Sequence, residues 1–169
     1  MYKFWKVKTS NTERIIGIKM KVVIQRVSKC KVKSNGKQTA KIQRGLLVLL
    51  GIVAEDTQED VDWLIQKILN LRIFPDENNI MNKSVRDCNG DIVVVSQFTL
   101  HASTKKGNRP SYIKAAKPEI AVPLYQSFLT HLQDELGKKI YAGIFGADMQ
   151  VKLINDGPVT IIIDTQNKE

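Results

Sequence analysis

Asp91-Ile92-Val93-Val94-Val95-Ser96-Gln97-Phe98-Thr99-Leu100-His101-Ala102 decides how this 169-residue chain is read. Residues 92–95 form an unbroken β-branched run with no helical period, which reads as a buried strand. Ser96, Gln97 and Thr99 then bring three hydrogen-bonding side chains to the strand's end, interleaved with Phe98 and Leu100. Polar groups at the mouth of an apolar strand need partners from protein, water or ligand. An ordinary strand end with turn contacts accounts for them as readily as a site does. The stretch that answers to it lies near the C-terminus: Asn155-Asp156-Gly157-Pro158-Val159-Thr160.

Outward from that strand, residues 21–27 read as another, with Val22 and Ile24 on one face. Alternation turns Arg26 inward with them, where a guanidinium needs a partner. The extended run continues over 29–33, Asn35-Gly36 signals a hairpin, 39–43 return, and 45–53 form a buried strand. Thr57 opens a helix with Glu59 and Asp60 in its first turn, where negative charge suits the helix dipole. Val61, Leu64, Ile65, Ile68 and Leu69 give it one core-facing stripe, and Trp63 reads as packing. Residues 71–74 are extended and 75–79 form a turn; Asn89-Gly90 turns into the central strand.

Residues 102–111 read as a loop whose Lys105, Lys106 and Arg109 around Gly107 suit a phosphate backbone or, equally, a solvated surface. Pro118 starts a second helix with Tyr125, Phe128, Leu129, Leu132 and Leu136 on its apolar face and Gly137 as its C-cap; Pro123 is expected in its first turn. Residues 140–142 and 149–154 read as strands, Gly157-Pro158 as an interruption, and 159–164 as the closing strand. Strands, helix, strands, helix, strands give a mixed α+β domain and exclude an alternating doubly wound one.

Size and composition fit one domain over residues 20–169. Residues 1–19 have no clear period and no long apolar core, and are expected to be a poorly ordered extension. No apolar run approaches the ~20 residues of a membrane span. Cys30 and Cys88 suggest a reducing compartment, and without a C-x-x-C or Cys/His cluster no metal site is implied. The net charge is +9, from 26 basic and 17 acidic residues, which favours a polyanionic partner.

For hydrolytic chemistry the histidines are His101 and His131. If the strand runs through residue 101, Thr99 and His101 share a face and a Thr–His pair is geometrically open. His131 reads as solvent-facing. Cys30, flanked by lysines, is a candidate thiolate with no histidine near it in sequence.

SQFTL (96–100) and NDGPVT (155–160) resemble the D-aminoacyl-tRNA deacylase family. VIQRVS (23–28), GLLVLLGI (45–52), NLRIF (70–74), MN (81–82), KKGNRPS (105–111) and FGADMQV (145–151) fall in order between and around them. The resemblance implies an α+β fold with a mixed or antiparallel, barrel-like sheet and two main helices, assembled as a homodimer. It implies a cytoplasmic hydrolase that cleaves the ester of D-aminoacyl-tRNA with no cofactor and no metal; glycyl-tRNA, whose amino acid has no side chain to clash, is expected to be cleaved as well. Ser96, Gln97, Phe98 and Thr99 would form the catalytic platform, with the Phe98 and Thr99 amides as oxyanion donors. Thr99 has also been considered a nucleophile for the family.

Gly157 and Pro158, joined by a cis bond in the family, would enter the opposite subunit's site and reject L-residues by clash with their carbonyl oxygens. Arg26 would hold those carbonyls from beneath. Met81, Phe145 and Met149 correspond to positions around the terminal adenosine; Lys105, Lys106 and Arg109 would face tRNA phosphates. A related family lacks both SQFT and the arginine and has a trans Gly-Pro. Two rival readings stay open: a non-catalytic RNA-binding module, and a small-ester hydrolase working through Cys30 or Ser96.

Overall fold

A computed structural model describes residues 19–168. Its frame is β1 (Lys21–Ser34), a long strand that lies antiparallel along the whole of β8 (Met149–Asp164) on one side. On its other side, its first half pairs with β3 (Gly45–Gly51) and its second half with β2 (Lys37–Ile42). The hairpin between β1 and β2 turns on Asn35 and Gly36, both at positive φ, as a two-residue hairpin of this composition requires. Beyond β3 come β6 (Asp91–Ser96) and β7 (Tyr141–Ala142), each parallel to its neighbour. β2 comes back against β6 and β7, so the mixed sheet is nearly a closed barrel. A two-stranded ribbon, β4 (Phe74–Pro75) with β5 (Met81–Lys83), stands apart from it.

Strand alternation sorts the apolar residues into two cores. Val22, Ile24, Leu46, Val48, Leu50, Ile92 and Val94 pack against the helices α1 (Gln58–Asn70) and α2 (Pro118–Leu136). Cys30, Val32, Ala40, Ile42, Leu47, Val93 and Val95 fill the barrel. The five stripe residues of α1 are all buried, and the Asp60 carboxylate accepts the Thr57 amide at the N-terminus. Trp63 is half-buried under the ammonium groups of Lys67 and Lys168. On α2, Tyr125, Phe128 and Leu132 are buried, Leu129 and Leu136 partly so, and Gly137 caps the helix in the left-handed region. The Tyr125 hydroxyl donates to the Val94 carbonyl at 3.2 Å, tying α2 to β6.

Two expectations need correcting. Pro123 lies at the sixth position of α2, beyond the first turn, and on its exposed side the helix tolerates the missing amide donor. Gly157-Pro158 does not divide two strands: β8 is one element whose ladder to β1 is broken there. Residues 1–18 lie outside the described residues. Lys19, the last of the expected extension, donates to the Asp60 carboxylate at 3.0 Å and the Glu55 carbonyl at 2.9 Å. Among the described residues no helix is long and apolar enough to cross a membrane.

Candidate active site

β6 ends where the polar residues begin. Gln97 leaves the ladder with its amide still donating to the Leu50 carbonyl at 2.7 Å, and residues Phe98–His101 wind into a single 3-10 turn. The change from extended to helical backbone turns Phe98 outward, 56% exposed, with its ring edge-on to Tyr112 at 5.0 Å. It also leaves the amides of Phe98 and Thr99, the first of the turn, without a protein acceptor among the described residues.

Beside this turn is a cleft of about 260 Å³. Ser96, Gln97 and Phe98 form one wall and Phe145 to Met149 the other, with Ala116 and Ala121 on its floor. Sequence reading had no signal for those two alanines beyond their small size. Gly143 makes room for the far wall, since a Cβ there would lie 2.3 Å from the Met149 sulfur. The chain thus brings Ser96, Gln97 and Phe98 together with Phe145 and Met149. Met81 is not part of this cleft; it sits on β5, 55% exposed. Thr99 lies on the turn and its hydroxyl accepts from the Gln97 side-chain amide. Lys105, Lys106 and Arg109 occupy an exposed loop closed by a Ser103–Ser111 bridge.

The Thr–His arrangement is overturned. Thr99 and His101 stand on a 3-10 turn, where residues two apart do not share a face. The His101 imidazole is buried beside the Gly51 backbone, and burial holds its pKa below the usual value. His131 is exposed on α2, against Asp62 and Gln58 of α1. Cys30 faces the barrel core at 2% exposure, and burial pushes its thiol up to about 11, which removes it as a nucleophile.

The NDGPVT segment lies elsewhere on the chain. Val27 pairs with Asn155 and Gln25 with Thr160, so Arg26 alone faces the four residues 156–159, which bulge out of β8. The Gly157-Pro158 bond is cis, and both residues are exposed. The bulge is fixed from two sides. The Asn155 side chain accepts the Val159 amide at 3.0 Å and donates to the Thr160 hydroxyl at 3.0 Å. From beneath, the buried Arg26 donates through Nε to the Asp156 carbonyl at 3.0 Å and through Nη1 to the Ile73 carbonyl at 2.6 Å. Its inward charge also meets the Asp156 carboxylate at 3.2 Å. The carbonyl so held is that of Asp156, one residue before the Gly-Pro pair. Asn155 and Ile73 were missed from sequence; an asparagine opening a Gly-Pro bend is the signal that could have found the first.

The sequence model of the D-Tyr-tRNA(Tyr) deacylase family matches residues 23–164. A D-aminoacyl-tRNA deacylase of Flavobacterium psychrophilum is 69% identical over 150 residues, covering 89% of this chain and all of that one. One from Bacteroides fragilis is 62% identical over the same lengths. Among solved structures, the c-Myc DNA unwinding element binding protein is 47% identical with a TM-score of 0.77, covering 85% of this chain and 97% of that one. A probable eukaryotic D-amino acid tRNA deacylase has the same fold at 18% identity, with a TM-score of 0.76 over 86% and 98% of the two chains. With the match running through both SQFTL and NDGPVT, this chain belongs to the D-Tyr-tRNA(Tyr) deacylase family.

Proposed function

We propose that the protein hydrolyses the ester bond of D-aminoacyl-tRNA and of glycyl-tRNA, releasing amino acid and tRNA, and spares L-aminoacyl-tRNA. The observation that carries this reading is a cleft lined by Ser96, Gln97 and Phe98 beside the free amides of Phe98 and Thr99, with no histidine in its lining and Asp148 on the opposite stretch as its carboxylate. Such a site suits an ester that is already activated and carries its own hydroxyl next to the bond. The aminoacyl ester of a tRNA is one: its terminal ribose has a free 2′-hydroxyl beside the ester. The protein positions the carbonyl, the amides meet the developing oxyanion, and ribose hydroxyl or water handles the proton. Each such donor is worth about 10²–10³ in rate.

Chirality is read by the Gly157-Pro158 bulge of a second copy in a homodimer. The bulge is exposed on its own chain and held rigidly by Arg26 and Asn155, as a part that serves a neighbour must be. Its carbonyl oxygens, set against the substrate's α-carbon, would clash with an L side chain and accept the hydrogen of a D-residue or of glycine. Phe145 and Met149 would contact the terminal adenosine; Lys105, Lys106 and Arg109 would meet tRNA phosphates outside the cleft. The site of action is the cytoplasm, where charged tRNA is found.

The test is a deacylation assay with D-tyrosyl-, L-tyrosyl- and glycyl-tRNA. Turnover of the first and third with the second spared is expected; equal rates on D- and L-tyrosyl-tRNA would overturn the reading. An RNA-binding module would bind all three and release nothing. The small-ester reading loses its thiol, because Cys30 is buried and protonated at neutral pH.

A further inference from the structure

The second half of β1, all of β2 and the first half of β8 (residues 29–34, 37–42 and 149–155) contain six lysines and no aspartate or glutamate. The strand register sets several of them side by side. Lys31 is opposite Lys41 of β2 on one edge and opposite Lys152 of β8 on the other. Neighbouring strands lie about 4.8 Å apart, so three ammonium stems cross the sheet within about 10 Å. Lys29 and Lys33 flank Lys31 on the same face, and their cross-strand neighbours Ile154, Gln38 and Gln150 carry no charge. None of Lys29, Lys31, Lys33, Lys41 or Lys152 is in an ion pair among the described residues. A shallow groove of about 360 Å³ runs between Lys29, Lys31, Lys41 and Lys152.

Like charges directly opposite each other across a sheet destabilise it. Three in a row, with no carboxylate to relieve them, are explained by an anion that bridges them. One lysine makes a weak point contact; a row along a groove fits a chain of phosphates. The row and the cleft share strand β8 and lie on its two faces. Met149 and Val151 line the cleft, while Lys152, the next residue of β8, turns to the outer face.

We infer that this lysine row on the outer face of β2, β1 and β8 is the docking surface for the phosphate backbone of the tRNA body, leading away from the aminoacyl end held in the cleft. The inference rests on the tRNA substrate proposed above. It is separate from the Lys105–Arg109 loop, which lies on a different connection.

The experiment compares the full chain with its K31Q/K41Q/K152Q variant. Binding of uncharged tRNA is measured by filter retention over a range of salt, and deacylation is followed on D-tyrosyl-tRNA and on D-tyrosyl-adenosine, which lacks the tRNA body. Each lost phosphate contact lowers the slope of log affinity against log salt by about 0.7–0.9. The slope is therefore expected to fall by about two, and KM for D-tyrosyl-tRNA to rise roughly tenfold or more. The rates on D-tyrosyl-adenosine should keep within about twofold of the unsubstituted chain. An unchanged salt slope with D-tyrosyl-tRNA still hydrolysed would overturn the docking surface and leave the functional reading standing. An equal loss on both substrates, or a change of oligomeric state on sedimentation, would also overturn it. If the unsubstituted chain hydrolyses neither substrate yet binds tRNA with a slope that the variant loses, the surface stands and the proposed reaction falls.

Discussion

At residue scale the informative side chain is Thr99. It lies on the 3-10 turn beside the proposed oxyanion amides, and the hydrogen-bond partner of its hydroxyl is the Gln97 side-chain amide, a donor and not a base. A hydroxyl so placed helps to orient Gln97, and that partner cannot take its proton. Thr99→Ala is therefore expected to retain turnover within about tenfold, since the backbone amides remain. Single-turnover deacylation of D-tyrosyl-tRNA checks this, and loss of all activity would restore a covalent threonyl ester. Ser96, Gln97 and Phe98 were legible because apolar-to-polar change along a strand marks its mouth. His101 was misjudged for a physical reason. A strand predicts that i and i+2 share a face, but hydrogen bonding after Ser96 passes from ladder to turn, and no local propensity in FTLH announces it.

At the scale of elements, the broken ladder of β8 carries the most consequence. Arg26 was legible as an inward charge from alternation with Val22 and Ile24. That it is opposed by four residues, and that Asn155 laces them shut, depends on the pairing partner and could not be read from either strand alone. Gly157 is at φ +131°, where an L side chain is strained; a Cβ would lie 2.7 Å from the Val159 side chain and 3.0 Å from the Arg26 guanidinium. Gly157→Ala should displace the bulge, cost roughly 1–3 kcal/mol of stability, and lower kcat/KM on D-tyrosyl-tRNA by about tenfold or more. Urea unfolding alongside the deacylation assay checks both, and wild-type values in both would remove Gly157 from the site. Pro123 shows the same limit. Its place at the sixth position of α2, on the exposed side, was not readable from the residue pattern alone.

For the whole molecule, stability depends on a buried carboxylate at the junction of β1, β3 and α1. Asp56 accepts the Met20 amide at 2.7 Å and the Val53 amide at 2.8 Å, yet burial, with Asp60 nearby opposing and Lys19 assisting ionisation, raises its pKa from 3.8 to about 6. A carboxyl raised in the fold binds its proton more tightly than in the unfolded chain. Its contribution is thus complete below about pH 4 and is lost as pH rises through about 6. Asp60, with its pKa lowered by Lys19 and Thr57, works in the opposite sense and loses its contribution in acid. The unfolding free energy of the wild type should fall relative to Asp56→Asn by on the order of 2 kcal/mol between pH 4 and 7. Denaturant titrations at several pH values measure it, and a flat difference would refute the assignment.

Among the described residues β8 pairs with β1 alone, so sixteen residues of backbone present a second edge that no other described strand covers. An uninterrupted edge of that length would template the addition of further chains and seed fibrils. The bulge at residues 156–159 interrupts that edge, and Lys152 adds a charge to the stretch before it. The same four residues that the proposed dimer would set against a neighbour thereby guard the protein against ordered aggregation.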